Sequence, residues 1–353
     1  MSRGARLVRP QLLLHGLRAA RLLPGLAVAL LVALAGTAAS TWLGSGTVLL
    51  CALFFGLALH HLSADPQTRP GVDFCARDVL RLGVGLLGAK ITATQVAALG
   101  WHNVLVVLAA MGATMGLGFM LARRFGLARA EGFLTGGAVA ICGASAALAL
   151  SSVLPRRPDS DRFTLLVVMA VTLLSTVAMV LYPLVAHALT LPPELAGLFL
   201  GASIHDVAQV AGAGYTMGEK AGDVAIVVKL LRVSMLVVIL GTVIAALRAR
   251  AASGAPARNG APANSSRPTL VPWFLWLFIA MVALNSAEAL VPPVQQALNE
   301  ASRACLVVAI GALGIKTSFR QLAGCGWRPV LLILIETLWL AALVLAYVCW
   351  GAR

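Results

Sequence analysis

Charge is what this sequence has least of. Of its 353 residues only 11% are charged, aromatic residues make up 6%, and tyrosine occurs three times. Soluble domains carry roughly a quarter of their residues charged and about half apolar. Here 60% are hydrophobic and the mean hydropathy is +0.92. A soluble fold of this size would leave too much apolar surface in water, so the bilayer is the solvent. The apolar runs do not alternate with polar residues, which excludes a transmembrane β-barrel. Cysteine is sparse and unpatterned: six residues, none in a CxxC spacing, read as reduced packing groups with neither a disulfide framework nor a metal site. No HExxH, P-loop, nucleophile elbow or dinucleotide fingerprint is present, so no enzyme chemistry, no catalytic residues and no cofactor are expected.

What is present is length for many crossings. Sixty per cent of 353 residues is about 212, enough for roughly ten helices of about 20 apolar residues. Eleven apolar segments can be drawn: 24–42, 46–62, 79–99, 103–121, 132–150, 163–187, 195–214, 223–247, 271–290, 303–317 and 328–350. The fold expected is an all-α polytopic membrane protein of 10–11 transmembrane helices. Residues 1–23 form a basic N-terminus and 24–250 the first part of the membrane domain. Residues 251–269, rich in Ala, Pro and Asn, form a flexible cytoplasmic linker, and 270–353 complete one integral domain. The first segment resembles a signal peptide in its basic flank, but its apolar run is too long, so an uncleaved anchor is expected.

The net charge of +14 comes from 27 basic against 13 acidic residues and gathers at the flanks of the spans: Arg3, Arg6, Arg9, Arg18 and Arg21, then Arg123, Arg124 and Arg129, then Arg248, Arg250, Arg258 and Arg267. That distribution is the positive-inside pattern, implies a cytoplasmic N-terminus in a bacterial inner membrane, and argues against a nucleic-acid partner. Loop 151–162, with Arg156, Arg157 and Arg162, breaks the pattern if 132–150 crosses fully. Two readings stand: the rule is violated locally, or the Gly- and small-residue-rich segments 132–150 and 195–214 are broken or re-entrant. Backbone can leave the helix within a membrane only beside a polar cavity or inside protein.

A shift of 226 positions lays residues 85–108 on 311–334, pairing Gly88 with Gly314, Lys90 with Lys316, Gln95 with Gln321, Gly100 with Gly326 and Trp101 with Trp327. An odd number of crossings separates the copies, so they run in opposite directions. Inverted repeats with broken helices are the architecture of secondary transporters.

Ionisable groups within the apolar runs need a reason, because each costs roughly 2.5–3.5 kcal/mol on insertion scales. The densest cluster is Gly201-Ala-Ser-Ile-His205-Asp206-Val-Ala-Gln209, followed by Lys229 and Arg232 some six and nine residues into their span. His205 and Asp206 read either as a structural pair at a helix break or as a proton-linked gate. Lys229, Arg232 and Gln209, with the uncharged Ser145 and Asn285, are the candidate substrate-binding residues; arginine's fork of donors suits oxyanions. If Lys229 and Arg232 only neutralise Asp206, one positive charge is left over for an anion. Lys90, Lys316, Arg81 and Cys142 form a second tier, with Arg81 placed to pair with Asp78. Glu288 and Glu336 receive no role.

The segments RLGVGLLGAKIT (81–92), AICGASAALAL (140–150), GASIHDVAQVAGAGY (201–215), VVKLLRVSML (227–236), VPWFLWLFI (271–279) and GALGIKTS (311–318) resemble the YeiH-like family of bacterial multi-span membrane proteins, to which sulfate export is ascribed. The resemblance runs from about residue 24 to the C-terminus. It implies a fold similar to the cation/proton antiporter and bile-acid symporter superfamily, with crossed broken helices. It places the family motif on His205, Asp206, Gln209, Lys229 and Arg232. Cation antiporters of that superfamily place paired acids at the crossing, whereas the central spans here offer only Asp206. The function expected is secondary transport of sulfate or a related sulfur oxyanion outward, coupled to a proton or sodium ion. The alternatives are an organic-anion symporter and a non-transporting membrane sensor or assembly factor. The expected partners are the lipid bilayer, the anion and its coupling ion; self-association into a homo-oligomer stays open.

Overall fold

A computed structural model of the chain describes residues 8–43, 48–155, 159–252, 273–317 and 327–351. The candidate linker at 251–269, Gln321 and Gly326 of the repeat, and Arg3, Arg6, Arg156, Arg157, Arg258 and Arg267 lie wholly or largely outside those residues. Most of the described residues are helical, with no strand among them. Six helices among them are long and apolar enough to cross a membrane, so the chain is an all-α, multi-pass membrane protein.

The chain divides into two compact units. One comprises residues up to Leu87 together with Val291–Thr317, the other Gly88–Leu290 together with the C-terminal residues from Ser318. The first unit holds α1 (Val8–Leu43), α2 (Val48–Ala58), α3 (Arg69–Phe74), a π turn (Cys75–Val79), α4 (Leu80–Leu86) and α14 (Pro292–Lys316). The third and tenth segments both differ from expectation at their starts. The helix expected from 79 begins at Arg69, where Pro70 occupies its first turn, and α14, expected from 303, begins at a Pro-Pro pair. Apolarity marks where a helix enters lipid, and these two continue beyond it through polar residues. The third segment also ends early. Thr92 and Gln95 form a reciprocal capping box that starts a new helix, α5 (Ala93–Ala98), so Lys90 lies in a break. Within this unit Lys316 pairs with Asp73 at 2.6 Å, and the Ser302 hydroxyl donates to the Gly83 carbonyl at 2.6 Å. Position 73 thus meets 316 while 83 meets 302, so the two repeat-related helices are antiparallel.

The second unit holds α5, α6 (Gly100–Leu121), α7 (Arg129–Ala140), α8 (Ala144–Val153), α9 (Ser160–Ala188), α10 (Pro193–Ser203), α11 (Val207–Thr216), α12 (Glu219–Ala252), α13 (Trp273–Ser286) and α15 (Trp327–Gly351). Here too the repeat partners are antiparallel. The Tyr347 hydroxyl donates to Asn103 Oδ1 at 2.8 Å at one end of α6 and α15, and Gly118 abuts Glu336 towards the other. Trp101 and Trp327, paired by the repeat and 73% and 67% exposed, open the two helices at opposite ends. Indole rings at both ends suit the two membrane interfaces.

Segments 132–150 and 195–214 are both re-entrant hairpins. In the first, α7 runs antiparallel to α6, breaks at Ile141–Gly143 and returns as α8. A methyl group at Gly137 would touch Leu150, thirteen residues later, at 2.3 Å, whereas a straight helix would separate them by about 20 Å. Gly143 at the tip has φ +63° and ψ −123°, a conformation reserved for glycine. In the second, α10 runs parallel to α12, with Gly197 against Ala221 and Val224 and Gly201 against Ala225 and Val228. Gly214 on the returning α11 is again against Gly222 and Ala225.

The hairpins enter from opposite faces, because α9 crosses between them. The start of α7, the end of α8 and the start of α9 therefore share one face with the far end of α12. The reading in which 132–150 crosses fully and violates the charge rule is thus set aside.

The α6–α7 seam is held by close backbone approach. A Cβ on Gly132 would lie 2.3 Å from the Gly118 carbonyl oxygen and 2.5 Å from Ala122 Cβ. Gly132→Ala is expected to destabilise the protein by about 1–3 kcal/mol through overpacking. Thermal unfolding of the detergent-solubilised protein measures it, and an unchanged midpoint would contradict this seam.

Candidate functional site

A helix leaves its last carbonyls without intrahelical partners, and in a membrane interior each such group costs several kcal/mol. Two helices, α7 and α10, end here at mid-span. Their carbonyls are met by the two buried cations of α12. Lys229 Nζ donates to the Ile141 and Ile204 carbonyls, both at 2.9 Å. Arg232 donates from Nε to Ala140 at 2.9 Å, from one terminal nitrogen to Gly201 at 3.0 Å and Ile204 at 3.1 Å, and from the other to Val139 at 2.9 Å. Both side chains are fully buried. They sit ten and thirteen residues into α12, about 15 and 20 Å along its axis. That is deeper than a span starting at 223 implied. The negative ends of the α7 and α10 dipoles converge on these cations, an arrangement that favours positive charge.

The positive charge is therefore not left over for want of Asp206. It is shared by two helix ends, which the sequence did not reveal as ends. Among the described residues, six hydrogen bonds to carbonyls leave one N–H of Lys229 and one of Arg232 uncommitted.

The same break brings two helix N-termini to the crossing, those of α8 and α11. Gly143 precedes α8 and offers no side chain to cap it; Asp206, in extended conformation, precedes α11. The backbone N–H of Asp206 donates to Ser175 Oγ of α9 at 3.1 Å, and Gln209 Nε2 donates to Thr176 Oγ1 at 3.4 Å. His205 lies against the first hairpin, its Cβ 3.5 Å from where a Cβ on Gly143 would be, and its Nε2 bonds Thr337 Oγ1 of α15 at 2.9 Å. Thr337 in turn donates to the Ile333 carbonyl at 2.8 Å, so the imidazole Nε2 is the donor in that pair. Among the described residues, His205 Nδ1 and Gln209 Oε1 are buried with no hydrogen-bond partner at bonding distance. The Ser145 hydroxyl donates to Cys142 Sγ at 2.8 Å. Ser145 is exposed and Asp206 half-buried, whereas Cys142, His205, Gln209, Lys229 and Arg232 are buried. The crossing is thus approached from the Ser145–Asp206 side, with the cations behind.

Seven of the candidate residues meet here: Cys142, Ser145, His205, Asp206, Gln209, Lys229 and Arg232. Asn285 does not; its Nδ2 donates to the Ile91 carbonyl at 3.2 Å, in the break after α4. Lys90, in the same break, lies 3.4 Å from both Glu219 and Asp223 at the start of α12, where the Tyr215 hydroxyl also donates to Asp223 at 2.9 Å. Arg81, 3.8 Å from Asp78, and Lys316 belong to the other unit, each in an ion pair. Sequence reasoning passed over Ser175, Thr176, Thr337, Thr135 and Glu336. The only signal available was a hydroxyl or carboxyl in an apolar run, and single Ser and Thr residues in membrane helices are too common to mark a site.

The comparisons with known proteins agree along nearly the whole chain. Residues 21–333 match the family described as Conserved hypothetical protein 698. A UPF0324 membrane protein of Chlorobaculum tepidum is 44% identical over 94% of this chain and 90% of its own length. The UPF0324 membrane protein TauZ of Paracoccus denitrificans is 45% identical over 91% and 93%, and a UPF0324 membrane protein of Rhizobium meliloti 40% identical over 93% and 91%. No solved structure matches.

Proposed function

Since this chain belongs to the Conserved hypothetical protein 698 family of UPF0324 membrane proteins, we propose that it is a secondary transporter moving a small oxyanion of sulfur, sulfate or a relative, outward across the bacterial inner membrane. The observation that carries the reading is the meeting of two opposed re-entrant hairpins at Lys229 and Arg232, halfway along α12. Hairpins that enter from opposite faces and break at one point give a single site that either face can reach, which alternating access requires. The arginine-bearing face, with loops 122–131 and 151–162, is cytoplasmic.

The anion sits over the N-terminus of α8. First-turn amides there lack intrahelical partners, and Ser145 adds a hydroxyl. Lys229 and Arg232 act from behind as fixed positive charge, already held in place by carbonyls, so little reorganisation accompanies binding. Asp206, at the N-terminus of α11, is the coupling group. Its carboxylate and the anion compete for the same positive field, so the protonation state of Asp206 sets how tightly the anion is held. His205 ties the tip of the second hairpin to α15.

The test is uptake of radiolabelled sulfate into proteoliposomes with and without an imposed pH gradient. Gradient-driven uptake by the wild type is expected. Ser145→Ala is expected to raise KM about tenfold or more, roughly 1.5–3 kcal/mol for one hydrogen bond to a charged ligand, while leaving the unfolding midpoint in place. Stimulation by sodium instead of the pH gradient would redirect the coupling assignment to sodium. Absence of flux for sulfate, sulfite and thiosulfate from folded, inserted protein would overturn the proposal.

A further inference from the structure

Glu336 is the one acid of α15, nine residues into a helix that spans residues 327–351, and it is fully buried. A carboxyl so placed is expensive and needs a reason. Two helices close over it. Thr135 of α7 lies 2.8 Å away, Oγ1 to Oε1, and a Cβ on Gly118 of α6 would lie 2.4 Å from the same Oε1, leaving no room for water there. Oε2 is buried without a hydrogen-bond partner among the described residues.

The hydrogens can be counted. Thr135 has one hydroxyl hydrogen and two acceptors within reach, Glu336 Oε1 and the Gly132 carbonyl at 3.1 Å. With an ionised Glu336 that hydrogen must serve one acceptor or the other, and the anion rests on at most one hydrogen bond in an apolar seam. With a protonated Glu336 the acid donates to Thr135 Oγ1, which donates on to Gly132. Every hydrogen is then used, and the remaining oxygen is a neutral carbonyl, far cheaper to leave bare than half a carboxylate.

Apart from the phenols Tyr182 on α9 and Tyr347 on α15, the charged and titratable residues of α15 and of the helices packed on it lie in terminal turns. They are His102 on α6 with Arg123 and Arg124 beyond it, Arg129 and Glu131 on α7, Asp161, Arg162 and His187 on α9, Glu194 on α10, and Arg328 and Cys349 on α15 itself. None forms an ion pair with Glu336 among the described residues. The position related by the internal repeat is Ala110, so the acid is not a duplicated packing feature. Its neighbour Thr337 bonds His205, so consecutive residues of α15 hold the two hairpins, Glu336 the first and Thr337 the second.

We propose that Glu336 is a proton-binding site that fastens the first hairpin to α15 when protonated and releases it when ionised. This rests on the transport reading for its consequence: the hairpin moves only after the proton leaves, so each cycle exchanges a proton through the α7–α15 seam. It differs from the role given to Asp206, which governs how tightly the anion is held.

Infrared difference spectra of wild type minus Glu336→Gln, recorded on the full chain in liposomes, test the site without any substrate. A protonated carboxylic C=O band present at neutral pH in the wild type, absent in Glu336→Gln and shifted in Thr135→Val is the expected result. No such band overturns the proposal. The second arm is sulfate flux. Glu336→Gln, which keeps shape and can still donate to Thr135, should fold, show a weakened response of net flux to a pH gradient with only the part set by Asp206 remaining, and keep substrate exchange at equal pH on both sides. An unchanged gradient response with the site neutralised also overturns it. If the wild type moves no anion while its band is present and titrates away at alkaline pH, the transport reading fails and the proton site stands.

Discussion

Arg232→Ala should leave little folded protein to assay. The guanidinium serves four carbonyls at the ends of α7 and α10, and it is fully buried. Truncation would orphan the Val139, Ala140 and Gly201 carbonyls, leave Ile204 to Lys229 alone, and open a cavity the size of the side chain. Removing one member of a buried, hydrogen-bonded charge arrangement costs about 3–5 kcal/mol, a large share of a typical stability. Arg232→Lys keeps the charge but replaces a planar fork with a point donor, so it should recover only part of the loss. Arg232→Met restores volume and no donors, and should fall near alanine. Unfolding midpoints in detergent and the yield of monodisperse protein measure the series. If Arg232→Ala melted with the wild type and lost only flux, the residue would belong to the substrate alone and the carbonyl contacts would carry no stability. This ordering also warns against reading a dead Arg232 variant as proof of anion binding.

The membrane class, most spans and the inverted repeat were legible in the sequence because each rests on a one-dimensional signal. Long apolar runs count crossings, and Lys90, Gly100 and Trp101 recur at Lys316, Gly326 and Trp327 with one fixed offset. Whether 132–150 crosses or turns back was not legible. Apolarity is identical in the two cases, and the decision lies in one glycine at φ +63° and in which residues Gly137 and Gly214 touch. That choice changed the meaning of Lys229 and Arg232. As side chains in a continuous bundle they were surplus charge awaiting an anion; beside two helix C-termini they have partners in the backbone, which no composition or spacing records. Glu336 was passed over for the converse reason. A lone acid in an apolar run looks the same whether it reaches an interface or lies under two glycine-lined helices. The polar halves of α3 and α14 escaped because a helix that outlasts its apolar stretch carries no hydropathy signal.

Asp206→Asn gives the largest effect expected on transport without loss of the fold. Asparagine keeps the size and N-cap character of the aspartate, and the backbone N–H bond to Ser175 does not involve the side chain. The lost negative charge also weakens an attraction to the buried Lys229 and Arg232, so stability should fall by about 1–2 kcal/mol, within what the fold tolerates. The field at the crossing gains one positive charge. At an effective dielectric of about 20, a unit charge roughly 10 Å from a monovalent partner is worth about 1.7 kcal/mol, more than tenfold in affinity. KM for the anion should fall by at least that factor, and maximal flux should fall with it, because a more tightly held ion leaves the site slowly. The remaining pH response should lose the component set by Asp206 and keep the one set by Glu336, so only Asp206→Asn combined with Glu336→Gln becomes pH-independent. Concentration dependence of initial uptake at several pH values, in the two single variants and the double, resolves this. A KM that stays put in Asp206→Asn would mean the carboxylate does not share the anion's field, and the coupling role would pass to Glu336 alone.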